Sequence, residues 1–309
     1  MEQEVKHKFL DQNIPRKGKV LKDHFQETHG DATAPPFFSL IEFNLSGLCN
    51  RFCVFCPRVD PAIFPNINEH LPVDLYERVM VDLAEVNYDG MILFSGFGEP
   101  LLYKKIEHLI QMSKQYCPNV RNEMVTNGDL VTVERLKELF ASGLDTLLLS
   151  MYDGPEQEPL FIQMREDAGL TEDQLILRKR WLSAEENYGI TLVNRSGMVD
   201  IPEVGVGALK EPLARRCFYP FYQVVVDYDG AVLLCTHDWG KKIIVGNLND
   251  QSIHELWDSP QIQKVRMSLS KADRNFAPCN LCDADGTMMG REHFEQWMGY
   301  YRETVDESV

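Results

Sequence analysis

A parallel α/β fold with a small hairpin-bearing region behind it is predicted by three observations. From Phe37 onward, short apolar runs alternate with amphipathic stretches, and strand–helix alternation of that kind builds a parallel sheet with crossover helices. Several of the runs end in strings containing Gly, Asn or Ser, at the carboxyl ends where β/α structures gather functional residues. After the Pro- and Gly-interrupted stretch 202–212 the character changes to two apolar runs around an Asp-Gly turn, a hairpin signal.

In chain order, residues 1–36 read as an N-terminal extension, loosely docked or mobile, without the apolar segment of a signal or transit peptide. Residues 37–47, 90–96, 121–128, 144–152, 175–182 and 190–197 read as strands. Between the early ones, 74–86 carries Leu75, Val79, Leu83 and Val86 at helical spacing, and 133–140 carries Val133, Leu136, Leu139 and Phe140. The link from Leu182 to Ile190 is too short for a fifth crossover helix, so that half of the sheet is expected to be trimmed. A boundary near Lys210 separates a domain at 37–210 from a second at 211–290, and 291–309 is expected to form a C-terminal helix.

Composition excludes several classes. The 309 residues are 44% hydrophobic, ample for a core, and 31 Lys and Arg stand against 47 Asp and Glu, a net charge of −16. A phosphate backbone needs a basic footprint, so no nucleic-acid partner is expected. No run approaches the roughly 18 apolar residues of a membrane span, so no membrane partner is expected and the location is expected to be cytoplasmic. In a reducing compartment, eight cysteines point to metal or catalysis before disulfides.

The cysteines carry the chemistry. Cys49-x3-Cys53-x2-Cys56 sits just after the first apolar run. A cubane iron–sulfur cluster has four irons to satisfy with thiolates. Three cysteines on one loop hold three of them and leave the fourth open, and an open metal position is where a substrate or cofactor binds. A zinc knuckle would favour two close pairs instead. With Phe55 before the third cysteine, the motif resembles that of the radical S-adenosylmethionine (SAM) enzymes. The resemblance implies a partial (β/α)6 barrel and a [4Fe–4S] cluster whose open iron chelates SAM. Reductive cleavage of SAM then yields a 5′-deoxyadenosyl radical, with Phe55 near the adenine.

Further motifs sit where that family places its SAM contacts. Ser95-Gly96-Phe97-Gly98-Glu99-Pro100 resembles the second motif, two adjacent glycines followed by Glu-Pro, which contacts the SAM amino group; here Phe97 interrupts the glycine pair. Thr126-Asn127-Gly128 resembles the family's turn after the third strand, and Ser150 ends the fourth, where relatives bind the ribose and carboxylate of SAM. Arg195 closes the last expected strand and is expected to point into the pocket.

The second set is Cys217, Cys235, Cys279 and Cys282. Four thiolates make a closed site for zinc or for a [4Fe–4S] cluster, and chemistry alone does not choose. Cys217-x17-Cys235, the Gly230 hairpin, Val245-Gly246-Asn247-Leu248 and Cys279-x2-Cys282 resemble the truncated SPASM, or twitch, domain, a small β-hairpin plus helix unit with one auxiliary [4Fe–4S] cluster. Cys117 reads as a structural thiol. His237, Asp238 and Trp239 are expected to pack around the auxiliary cluster, with His237 a candidate to face substrate.

A fully ligated auxiliary cluster suits electron transfer. The reaction this implies removes hydrogen from a carbinol carbon and a proton from its hydroxyl, and passes one electron to that cluster, leaving a ketone. Twitch-type enzymes of this kind act on aminocyclitols and sugars in antibiotic pathways, and the chain resembles them in size and cysteine layout. The expected partners are a polyhydroxylated small molecule and an electron donor such as flavodoxin or ferredoxin. Arg178, Arg180 and Arg195 are the candidates to hold the substrate or assist proton loss. A sugar epimerase, a peptide maturase and a non-catalytic cluster protein are the alternatives.

Overall fold

The computed structural model describes residues 11, 13–28 and 35–306; the expectations for 1–10, 12, 29–34 and 307–309 lie outside the described residues. The helices are α1 (Asn13–Thr28), α2 (Val73–Glu85), α3 (Ile106–Tyr116), α4 (Val133–Ala141), α5 (Gln157–Asp167), α6 (Tyr219–Tyr222), α7 (Ile253–Trp257), α8 (Pro260–Ser270) and α9 (Arg291–Asp306). The strands are β1 (Leu40–Phe43), β2 (Met91–Phe94), β3 (Arg121–Thr126), β4 (Thr146–Met151), β5 (Leu175–Lys179), β6 (Gln223–Val226), β7 (Ala231–Leu233) and β8 (Ile244–Asn247).

All eight strands share one sheet, ordered β5-β4-β3-β2-β1-β6-β7-β8. The pairs from β5 through β1 to β6 are parallel, and β6-β7 and β7-β8 are antiparallel. This is the α/β class expected, with a parallel-rich sheet and crossover helices. Side chains alternate faces along a strand. Ile41, Phe43, Ile92, Phe94, Met124, Leu147 and Leu149 enter the main core, above which α2, α3, α4 and α5 pack in sequence. The opposite face, carrying Glu42, Leu93, Glu123, Val125, Leu148, Ser150, Arg178 and Gln223, lines a cavity.

Two expectations are corrected. Residues 190–197 form no strand; the sixth parallel strand is β6, beside β1 and beyond residue 210, so the sheet runs unbroken across that position. The reason is local: Arg195, Ser196 and Gly197 all have positive φ, which no extended strand accepts. The segment docks on the second cysteine loop instead: the Asn194 amide donates to Leu281 O at 2.7 Å, and Asn194 N donates to Asp283 Oδ1 at 2.8 Å. The N-terminal extension is also more than a loose tail where it is described. Arg16 of α1 forks onto buried Glu123 at 2.9 and 2.6 Å, and Asp11 accepts from Arg180.

The predicted hairpin forms across Asp227 to Gly230, with Val225 opposite Leu233. At the far end, α9 buries Trp297 completely, and the Arg266 guanidinium lies 3.9 Å from the Trp257 ring centre and 4.0 Å from that of Trp297.

Candidate active site

A cavity of about 350 Å³ lies at the carboxyl ends of the parallel strands. Thirteen predicted site residues line it: Cys49, Cys53, Cys56, Phe55, Gly96, Gly98, Glu99, Thr126, Asn127, Ser150, Arg178, Arg180 and Arg195. Pro100 is buried behind it and opens the short 3₁₀ turn after Glu99. Cys217, Cys235, Cys279 and Cys282 are not in the wall, but their chain neighbours Tyr219, Thr236, His237 and Ala284 are. The first cysteine set and the chain neighbours of the second therefore border one chamber, a relation no local motif announces.

The first cysteine loop is latched from both sides. Arg51, between Cys49 and Cys53, reaches Asp129 through Nε at 2.8 Å and Asp153 through both terminal nitrogens at 2.7 Å. Asn50 bonds Asp129 and accepts from the Asn127 amide, each at 2.7 Å. The loop is thereby tied to the ends of β3 and β4. On the other side the buried Arg58 donates to the Phe97 carbonyl and to Gly47 O. All three thiols are free. Burial, with Cys56 and Cys49 alongside, pushes Cys53 up to about 12. An environment this hostile to bare thiolates suits metal ligands, whose charge an iron core neutralises.

The glycines of the second motif are demanded by packing. A Cβ on Gly98 would overlap Ser46 O and stand 2.7 Å from Leu48 O, and one on Gly96, at φ +108°, would stand 2.8 Å from Asn44 Cβ. Both glycines make room for the strand leading into the cysteine loop. Phe97 departs from the family pattern because its ring is spent on packing: it lies 4.7 Å from the Trp239 ring, joining the sheet's cavity face to the region after Cys235.

Glu99 is almost wholly buried and accepts three hydrogen bonds, from Thr126 Oγ1 at 2.7 Å, Asn127 N at 2.8 Å and Leu101 N at 3.0 Å. A carboxylate offers about four lone-pair sites, so one remains. Burial lifts its acid to about 7 despite these donors. Gly128, at φ +83°, completes the turn.

The three arginines differ. Arg178 donates to Ser150 Oγ at 2.7 Å while its buried Nε has no partner; burial, then Arg180, bring it down to about 10. Arg180 is committed to Asp11 and the Gly189 carbonyl. Arg195 meets His237 Nδ1 at 3.4 Å, and His237 Nε2 lies 3.1 Å from the Tyr219 hydroxyl. Burial holds His237 down at about 3, hence neutral. Asp238 accepts from the Lys242 and Ile243 amides and caps the turn.

The second set is grouped by electrostatics and by one missed residue. Each of Cys235 and Cys279 is raised by burial and by the other cysteines of the set. Arg274, fully buried, donates to the carbonyls of Arg215, Arg216, Ala284 and Asp285, tying both cysteine-bearing loops together. Its charge favours the thiolates of Cys217, Cys279 and Cys282. Among the described residues no three His, Cys, Asp or Glu close around one ion position; a cubane spreads its thiolates over separate irons. Cys117 lies in the main core, as expected of a structural thiol.

Sequence reasoning also missed Glu42, Glu123, Gln223, Tyr152 and Lys17. A single acid inside the apolar run of β1 is a readable signal, since a buried unpaired carboxylate is costly. Lys17 carried none, because only docking of α1 brings it to the cavity.

Among the described residues no helix is long and apolar enough to cross a membrane. The family model described as "Radical SAM superfamily" matches residues 43–176, and that described as "Iron-sulfur cluster-binding domain", SPASM, matches 217–283. An S-adenosyl-L-methionine-dependent 2-deoxy-scyllo-inosamine dehydrogenase from Niallia circulans is 27% identical over 260 residues, 80% of this chain and 93% of that protein. The crystal structure of BtrN in complex with AdoMet and 2-DOIA is similar at 26% identity and TM-score 0.69, covering 84% of this chain and 99% of that one. A tagged anSMEcpe with bound AdoMet, 14% identical with TM-score 0.51, shares the fold.

Proposed function

The chain is a radical SAM enzyme with a C-terminal SPASM-type cluster domain, and we propose that it oxidises a carbinol carbon of a sugar or aminocyclitol to a ketone. Its cofactors are SAM and two [4Fe–4S] clusters, one binding SAM and one auxiliary. The observation that carries the reaction is the single chamber walled by the first cysteine loop and by the neighbours of the second set. A hydrogen acceptor and an electron acceptor then reach one substrate.

The donor chemistry fits both groups: three free thiols on one latched loop, and four free thiols, of which Cys217, Cys279 and Cys282 feel the buried Arg274 guanidinium. Cys49, Cys53 and Cys56 would hold the SAM cluster, and Cys217, Cys235, Cys279 and Cys282 the auxiliary one. When bound, these groups supply a 5′-deoxyadenosyl radical and a one-electron sink. The remaining lone pair of Glu99 would accept from the SAM ammonium, while Thr126 and Asn127 hold that carboxylate in place. Ser150 and the unpartnered Nε of Arg178 serve the ribose or carboxylate of SAM. Phe55, stacked near Tyr152, would flank the adenine. The buried Glu42, bonded to the Gln223 amide at 2.6 Å, lines the cavity where a substrate hydroxyl would donate to it. Arg180 positions rather than reacts, being spent on Asp11 and the Gly189 carbonyl, and Arg195, beside His237, lines the cavity with it.

An epimerase would need a hydrogen donor such as a cysteine facing the substrate, and Cys117 is in the core instead. A one-electron donor such as flavodoxin or ferredoxin would feed the SAM cluster, in a reducing cytoplasm that keeps the cysteines out of disulfides. Iron and sulfide are counted after anaerobic reconstitution of wild type and the Cys49/Cys53/Cys56→Ala variant. About eight irons falling to about four is expected; about four falling to none would remove the electron sink and the reaction with it.

A further inference from the structure

Three residues from three loops meet at one corner of the cavity, beside the second cysteine set. Tyr219 opens α6 two positions after Cys217, and His237 follows Cys235 by two. Arg195 belongs to the segment that Asn194 docks on the loop of Cys279 and Cys282. All three line the cavity. They form one chain: Arg195 Nη1 lies 3.4 Å from His237 Nδ1, and His237 Nε2 lies 3.1 Å from the Tyr219 hydroxyl. The His237 and Tyr219 rings meet edge-on, 5.0 Å between centres.

This chain has only one direction. A guanidinium has no acceptor, so Arg195 donates and Nδ1 accepts; Nε2 then carries the ring's proton and donates to the Tyr219 oxygen. The phenol's own proton is left over, and the hydroxyl has no other partner among the described residues. We propose that Tyr219 donates this hydrogen bond to a ring oxygen of the substrate, and thereby sets which carbinol carbon is turned toward the second cysteine set. The proposal rests on the carbinol oxidation above and adds to it the orientation of the ring. A corner offering O–H and N–H groups suits an oxygen, which accepts through its lone pairs as hydroxyl and as ketone alike. An ammonium brings only donors, and a charge like that of Arg195, so the amine of an aminocyclitol is turned to another wall. A site built to hydrogen-bond one substrate group discriminates strongly, because a missing partner leaves a buried polar group unpaired.

The test compares reconstituted wild type and Tyr219→Phe on 2-deoxy-scyllo-inosamine, with iron counted for each. Substrate-dependent 5′-deoxyadenosine and ketone give kcat and KM, and NMR of the product gives the carbon that carries the carbonyl. Wild type should make one ketone. Tyr219→Phe should keep about eight irons and lose about tenfold or more in kcat/KM, chiefly through KM. It should also spread the carbonyl over more than one ring carbon, which a role in packing alone would not do. Should Tyr219→Phe lose iron, His237→Phe, which removes the group that turns the hydroxyl outward, carries the same expectation. Loss of about four irons in both variants would assign the pair to holding the auxiliary cluster and overturn the inference. A mixture of ketones from wild type, or KM and product unaltered in an iron-loaded variant, also overturns the inference alone. If wild type forms neither ketone nor substrate-dependent 5′-deoxyadenosine, the carbinol oxidation falls and the inference with it.

Discussion

Glu99 shows how much of this site is made of backbone geometry at the scale of single residues. Its carboxylate ties the end of β2 to the end of β3 through Thr126 and Asn127, and burial raises its acid from the ordinary range to about 7. Between the unfolded value near 4.5 and about 7, the native state binds more protons than the unfolded chain. Stability is then present below that window and falls as pH rises through it. We expect cluster-loaded, SAM-free enzyme to lose up to about 3 kcal/mol over that range. Glu99→Gln should flatten the profile, and SAM should restore wild-type stability at pH 7.5; thermal melts against pH measure both. A wild-type profile as flat as that of the variant would refute the assignment. The motif was legible in the sequence, but its bracing role was not, since the partners sit on another strand.

At the scale of elements, the cysteine loop is positioned by what surrounds it. β1 delivers it, Gly96 and Gly98 let the chain pass, and Arg51 fastens it to the β3 and β4 ends. Gly98→Ala must move Ser46 or Leu48, both backbone contacts. The expected outcome is destabilisation by roughly 2 kcal/mol or more, with the loss of about four irons. Iron content and melting of this variant decide it; a stable protein with full iron would show that the contact is relieved cheaply. The first five strands were readable from apolar runs, whereas the sixth was misplaced. Residues 190–197 are apolar enough for a strand, but Asn194 has its hydrogen bonds on the loop of Cys279 and Cys282, and positive φ breaks the extension. The true sixth strand is the first limb of the hairpin.

The whole molecule joins two cluster domains through one sheet. β6 belongs to the parallel run by its pairing with β1 and to the hairpin by its pairing with β7, so the auxiliary cysteines are held in register with the cavity. Phe97 against Trp239 packs across the joint, and Arg274 ties the loops of the second cysteine set to each other. A Cys279→Ala/Cys282→Ala variant should keep about four irons and still form 5′-deoxyadenosine, while ketone falls at least about 100-fold. Product analysis by mass spectrometry checks this. Undiminished ketone would exclude the auxiliary cluster as electron sink. What the sequence determined by itself was the chemistry: thiol spacing, glycine turns and strand ends are local, set by residues within a few positions of one another. What only the tertiary structure decided was company. The shared chamber, Arg274 beneath the second set, and Lys17 brought to the cavity by α1 all depend on contacts between residues far apart in the chain, where burial and packing rather than local periodicity choose the neighbours.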